Sequence, residues 1–263
     1  MTTIDGMKPT QKVPKTLKLP RNCQIPSLLL AVPLLLSAPS GRAEILVKNG
    51  ETIAFLGDSI TELGWIHAAG YVKLTISGLE ANGIKTMVIP AGRTGQKSDE
   101  MLARLGREIL SKKPDWLTLS CGVNDVWHGS NGIPLDRFQT NIMALIDRAQ
   151  TAHIKVVLLT ATGIGEDLDN FNNKKVAGYN AVLRLLAKQK NCLLADVNAD
   201  FRKALKSNAA TGKVLTTDGV HMNSTGDRVM SERILRTLGL TDAQFRTAQD
   251  YYSFSQKLDM WLR

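Results

Sequence analysis

Ser59, Asn124, Asp218 and His221 stand in short runs whose side chains suit chemistry at a carbonyl carbon. Gly57-Asp58-Ser59-Ile60-Thr61 offers a hydroxyl directly after the apolar run Ile53-Ala54-Phe55-Leu56. Pro90-Ala91-Gly92-Arg93-Thr94-Gly95 offers glycines, where backbone N–H groups approach a ligand with no Cβ in the way. Gly122-Val123-Asn124-Asp125 offers a side-chain amide able to donate to an oxyanion. Asp218-Gly219-Val220-His221 sets an acid three residues before a histidine. A serine hydroxyl is a poor nucleophile until a base takes its proton. Imidazole, with a pKa of about 6.5 when unperturbed, does this near neutrality, and a carboxylate beside it fixes the tautomer. Any one run is weak evidence, since Asp58 or Ser59 alone reads as a helix cap. Three of them on consecutive strand ends, joined by the Asp/His pair, point to one site.

The elements that must hold these runs are legible from periodicity. Five short apolar or β-branched runs, Thr52 to Leu56, Lys85 to Ile89, Trp116 to Ser120, Lys155 to Thr160 and Cys192 to Val197, alternate with amphipathic stretches. That alternation predicts a parallel sheet covered by helices on both sides. Val156-Val157-Leu158-Leu159 is apolar at successive positions, as a strand buried on both faces requires. Helices are expected over Ile66 to Ala81, Ser98 to Ser111, Leu135 to Thr151, Asn172 to Lys188, Ala199 to Ser207, Thr225 to Thr237 and Asp242 to Leu262. Leu135, Phe138, Ile142, Leu145, Ile146 and Ala149 recur at three-to-four spacing and form one apolar stripe. In an open sheet of this kind, ligands bind beyond the carboxyl ends of the strands, where Ser59, Gly92 and Asn124 are placed.

At these residues the chain resembles the SGNH hydrolase superfamily, the GDSL-type esterases and lipases. Gly57-Asp58-Ser59-Ile60-Thr61 is similar to the first block, Gly92 in its loop to the second, Gly122-Val123-Asn124-Asp125 to the third and Asp218-Gly219-Val220-His221 to the fifth. Two positions depart from the pattern: Ile60 follows the serine in place of Leu, and Pro90 stands where an Asn often precedes the second-block glycine. The resemblance implies a three-layer α/β/α sandwich on a five-stranded parallel sheet, a flavodoxin-like arrangement. It further implies Ser59 as nucleophile, His221 as general base and Asp218 as the group orienting the imidazole. The Ser59 and Gly92 N–H groups and the Asn124 side chain would form the oxyanion hole. The activity it implies is hydrolysis of carboxylic esters through an acyl-enzyme, with no cofactor. Because the chain carries no long apolar insertion that would read as a lipid-binding lid, the expected substrates are short acyl or acetyl esters of small molecules or carbohydrate. An acyltransferase or thioesterase would use the same residues, and a carbohydrate-binding protein could keep the scaffold without turnover.

Other histidines are weaker candidates for the base. His153 precedes a strand, at the far end of the sheet, and His67 is placed on a helix, whereas His128 and Trp127 follow the third run closely and suit the substrate rim. Asp125 is expected to orient its loop, and Asp58 to serve the turn. A nucleotide-binding module lacks its phosphate cradle here, with no GxGxxG after the first strand and no GxxxxGK[ST]. No HExxH and no cysteine pair at ligand spacing supports a metal site. Cys121 and Cys192 are expected near opposite ends of their strands as buried fillers, too far apart for a disulfide.

The net charge of +9 mostly reports the N-terminus. Lys8, Lys12, Lys15, Lys18, Arg21 and Arg42 face Asp5 alone, leaving 27 bases and 23 acids for residues 44 to 263. That surface, with 5% aromatic residues, gives no support for nucleic-acid binding. The basic stretch runs into Ile25 to Leu36, which carries Pro26 and Pro33, and then into small residues up to Ala43. This is the layout of a secretory signal peptide, shorter than the roughly 20 apolar residues a membrane span needs. Residues 1–43 are therefore expected to be a leader that takes Cys23 with it, and 44–263 a single exported domain with no membrane span of its own. The oligomeric state is left open.

Overall fold

The computed structural model describes residues 44–207 and 214–261, and side chains as far as residue 253. Residues 1–43, expected to be a leader and including Cys23, lie outside the described residues. Strands β1 (Thr52–Gly57), β2 (Met87–Gly92), β3 (Trp116–Ser120), β4 (Lys155–Leu159) and β5 (Leu193–Ala195) form one sheet in the order β2-β1-β3-β4-β5, and every pairing is parallel. Ile53 to Leu56 in β1 and Val156 to Leu159 in β4 are buried, as strands covered on both faces must be. The chain leaves β1 towards β2, then returns past it to β3. Both neighbours of β1 therefore bring their carboxyl ends to the end of β1, and that is the crevice where such sheets bind ligands.

Nine helices follow among the described residues: α1 (Ser59–Ile66), α2 (Tyr71–Glu80), α3 (Ser98–Glu108), α4 (Val123–Trp127), α5 (Leu135–Thr151), α6 (Phe171–Gln189), α7 (Val197–Ser207), α8 (Ser224–Thr237) and α9 (Asp242–Trp261). α3, α5 and α6 pack side by side, while α2 packs on α1, α8 and α9, and α7 on α8. These are the two helical layers that right-handed crossovers demand when the chain moves first one way and then the other across the sheet.

Several expectations need correction. The helix read as Ile66 to Ala81 is two helices: α1 starts at Ser59, capped by the Asp58 carboxylate on the Ile60 N–H at 2.9 Å, and α2 starts at Tyr71. His67 lies in the break between them, not on a helix. The second strand begins at Met87 and carries on through Pro90 to Gly92, two to three residues later than its apolar run suggests. β2 is an edge strand, so the missing N–H of Pro90 interrupts no ladder on its open side. Within the α5 stripe, Phe138, Ile142, Leu145, Ile146 and Ala149 are buried, but Leu135 in the first turn is exposed. Cys121 follows β3 and is buried, whereas Cys192 precedes β5 and is only half-buried. In α9, Phe245, Ala248 and Tyr252 are buried against the body of the fold, and the Tyr252 hydroxyl donates to the Leu74 carbonyl of α2.

Candidate active site

Ser59 opens α1, so its N–H belongs to the first helical turn, whose N–H groups have no partner within the helix. The same terminus carries the positive end of the helix dipole, which favours negative charge developing there. Gly57 of β1 lies in register with Gly92 of β2, which puts Gly92 beside the serine turn. The contact admits only glycine: a Cβ at residue 92 would sit 2.1 Å from the Glu62 backbone nitrogen of α1. Arg104 of α3, 4% exposed, braces both strand ends from within. Its guanidinium donates to the Gly57 carbonyl at 3.0 Å and the Ala91 carbonyl at 2.8 Å, and pairs with Glu108 at 3.0 Å. On the other side of β1, the turn after β3 leads into α4, which carries Asn124. Its side-chain amide is buried and donates to the Gln96 carbonyl at 3.1 Å.

The neighbouring Asp125 has a different task. Its Oδ1 accepts the Ser98 N–H at 3.0 Å and the Ser98 hydroxyl at 2.6 Å, which ties α4 to α3, and its Oδ2 accepts the Cys121 thiol at 3.4 Å. Burial pushes the Asp125 carboxyl up against the pull of these donors. Burial likewise pushes Asp58 up to about 7; the Ile60 N–H opposes it, and the charge of Asp125 adds to it. Two buried carboxyls thus lie beneath the turn that carries Ser59.

From the C-terminal part of the chain comes the turn preceding α8. The His221 Nε2 lies 2.9 Å from the Ser59 Oγ, and its Nδ1 lies 2.5 Å from the Asp218 Oδ2. Asp218 Oδ1 accepts the backbone N–H groups of Val220 at 2.9 Å and His221 at 2.8 Å. Its slight burial works upward, but the His221 ring, the two backbone N–H groups and the imidazole charge outweigh it and hold the carboxyl at about 2. A hydroxyl, an imidazole and an ionised carboxylate in line can pass the serine proton to the ring as the oxygen attacks. The structure sets Ser59, His221 and Asp218 in line, and places Gly92 at the end of β2 and Asn124 in the turn after β3, on either side of β1. Trp127 and His128, at the end of α4, are exposed, with ring centroids 6.4 Å apart. His153 is exposed in the turn before β4 and takes no part.

Sequence reasoning missed the supports: Arg104, Ser98 and Glu166 stand in no motif, and only their three-dimensional contacts reveal them. The polar segment 163–173 meets the Asp218–His221 turn through Gly165 and Glu166. Among the described residues, no helix is long and apolar enough to cross a membrane, and no group of three or more His, Cys, Asp or Glu is placed to hold a metal ion.

Sheet order, the serine turn after β1 and the loops flanking it define a three-layer α/β/α sandwich of the SGNH type. The chain belongs to the GDSL-like lipase/acylhydrolase family, whose model matches residues 55–229, and it is a hydrolase of ester bonds. An acetylxylan esterase of Geobacillus stearothermophilus is 25% identical over 214 residues, covering 73% of this chain and 96% of that protein. The esterase TesA of Pseudomonas aeruginosa is 25% identical over 190 residues, covering 72% of this chain and 88% of that protein. The crystal structure of another acetyl xylan esterase superposes with a TM-score of 0.66 at 35% identity, covering 70% of this chain and 97% of its own.

Proposed function

We propose that this protein is an exported serine esterase that removes acetyl or other short acyl groups from carbohydrate or small-molecule esters. Ser59 Oγ attacks the ester carbonyl while His221 Nε2 takes its proton. The carbonyl oxygen, now negative, is held by the Ser59 and Gly92 N–H groups and the Asn124 amide. Collapse of the tetrahedral intermediate breaks the bond to the alcohol, which leaves with the proton from His221, and an acyl-Ser59 ester remains. Water, deprotonated by His221, attacks that ester; the carboxylic acid departs and Ser59 regains its proton. Asp218, kept ionised, stabilises the imidazolium in both halves.

The observation that carries this reading is the 2.9 Å approach of His221 Nε2 to Ser59 Oγ across 162 residues of sequence, with Asp218 on the far ring nitrogen. The acetyl preference draws support from the relatives named acetylxylan esterases. The exposed Trp127 and His128 suit contact with a sugar at the rim. Export rests on the leader-like residues 1–43, which would be removed to leave 44–263 as the working domain. The test is turnover of p-nitrophenyl esters from acetyl to octanoyl and of acetylated xylo-oligosaccharides, beside a Ser59→Ala control. Activity that falls with acyl length and vanishes in the control is expected. Activity surviving in Ser59→Ala would overturn the mechanism, and a preference for octanoyl would overturn the substrate class.

A further inference from the structure

Four hydrogen bonds converge on the Glu166 carboxylate, outside the line of Ser59, His221 and Asp218. Glu166 Oε2 accepts the backbone N–H of Val214 at 2.6 Å. Its Oε1 accepts the N–H groups of Leu215 at 2.8 Å and Thr216 at 2.7 Å, and the Thr216 hydroxyl at 2.7 Å. An ionised carboxylate has about four acceptor sites, and this one segment brings four donors to Glu166. Burial works upward on its carboxyl, but these donors outweigh it and lower it. Next to it in the chain, the Gly165 N–H donates to the Gly219 carbonyl at 2.6 Å. Both glycines have positive φ, +77° and +104°, and at this one contact backbone meets backbone.

The receiving segment is bound to itself. Thr216 and Met222 form an antiparallel bridge, the Thr217 N–H donates to the His221 carbonyl at 2.8 Å, and the Asn223 N–H donates to the Leu215 carbonyl at 3.0 Å. Asp218 accepts the N–H of His221 within the same turn. The pairing of Asp218 with His221 is therefore decided inside residues 214–223. The distance from that turn to Ser59 is not; it depends on what fastens the turn to the sheet. Burial of Leu215, Val220 and Met222 supplies part of that fastening, and Glu166, in the connection between β4 and α6, adds charge-assisted bonds, roughly twice as strong as neutral ones.

We infer that Glu166 is a positioning residue for the reaction, holding the Asp218–His221 turn where Nε2 reaches Ser59 Oγ. The inference rests on the serine mechanism proposed above. A displacement near 1 Å at such a contact costs about 100-fold in rate.

Glu166→Gln keeps the size of the side chain but turns an NH₂ toward backbone donors. The parent, Glu166→Gln and Thr216→Val, which removes only the hydroxyl donor, are compared with Ser59→Ala as the unlabelled control. The readouts are the rate of Ser59 labelling by a fluorophosphonate, kcat and KM on p-nitrophenyl acetate, the kcat–pH profile and Tm, all well below the melting range. In Glu166→Gln, labelling and kcat are expected to fall roughly 10- to 100-fold with KM within about threefold. The pH midpoint is expected to stay in place, because the Asp218–His221 pairing is made inside the turn. Thr216→Val is expected to lose several-fold in the same direction. A lower Tm with labelling within twofold of the parent would overturn the role, and Thr216→Val decides the same point if Glu166→Gln does not fold. A displaced midpoint would also overturn it, by showing that Glu166 acts on the Asp218–His221 pair itself. A parent that is not labelled at Ser59 would overturn the serine mechanism, and this role with it.

Discussion

Asp218 grips His221 twice: its Oδ1 accepts the backbone N–H of His221 at 2.8 Å, and its Oδ2 faces the ring Nδ1 at 2.5 Å. One carboxylate thus shapes the turn and selects the tautomer that leaves Nε2 free to accept a proton from Ser59. In Asp218→Asn, the amide oxygen can keep the backbone bond while the NH₂ faces Nδ1. That favours the wrong tautomer, with the proton on Nε2. The fold is expected to survive and kcat to drop by about 10⁴, as in serine hydrolases altered in this way. Steady-state kinetics with a circular dichroism control measures this, and a loss below tenfold would show that the ring is oriented by something else.

Asn124 is buried and already held by the Gln96 carbonyl, so its amide is set in place before substrate arrives. A donor used chiefly in the transition state affects turnover far more than binding. For Asn124→Ala, kcat is expected to fall by about 10² to 10³ with KM changed by no more than a few-fold. Preserved kcat with a raised KM would overturn the oxyanion-hole role proposed for Asn124.

At Gly92, the atoms a Cβ would meet are backbone atoms of Glu62, at 2.1 and 2.6 Å, and of Thr61, at 2.6 Å. Gly92→Ala must push α1 away from β2 and carry Ser59 with it. The expected result is a loss on the order of 1–3 kcal/mol in stability, together with slower labelling of Ser59. Unchanged melting and unchanged labelling would mean that α1 and β2 do not approach this closely.

Asp58 ties stability to pH. Its carboxyl is held up to about 7 in the folded protein, against about 3.9 in an unfolded chain. Between those values the unfolded chain has lost a proton that the folded one keeps. Stability therefore falls as pH rises through that window and levels off above 7. Asp58→Asn retains an oxygen for the Ile60 N–H and cannot ionise, so the drop in Tm from pH 5 to pH 8 is expected to shrink in the variant. Part of the drop remains, because burial also raises Asp125, and Asp227 to about 6. Equal drops in the two proteins, measured by thermal unfolding, would show that Asp58 does not titrate in this range.

β3 and α5 occupy the residues their patterns indicated, because a short run of apolar and β-branched residues and a three-to-four stripe each leave one sensible burial. α1 was not legible: it spans eight residues, too few for a stripe to emerge, and its start depends on the Asp58 cap. The end of β2 was hidden by Pro90, which is acceptable only because β2 lies at the edge, a fact of strand order.

Sequence alone determined which side chains have the chemistry for ester cleavage and that each follows a strand or precedes a helix, since hydroxyl, amide, carboxylate and imidazole are local properties. It also indicated the alternating plan of the sheet, because burial on two faces writes itself into consecutive apolar residues. Only the tertiary structure decided that His221 meets Ser59 at 2.9 Å, that Arg104 braces the strand ends beneath the serine, and that Glu166 takes up the N–H groups of residues 214–216. Those relations join segments dozens of residues apart or more. They depend on strand order and crossover direction, and no local spacing carries that information.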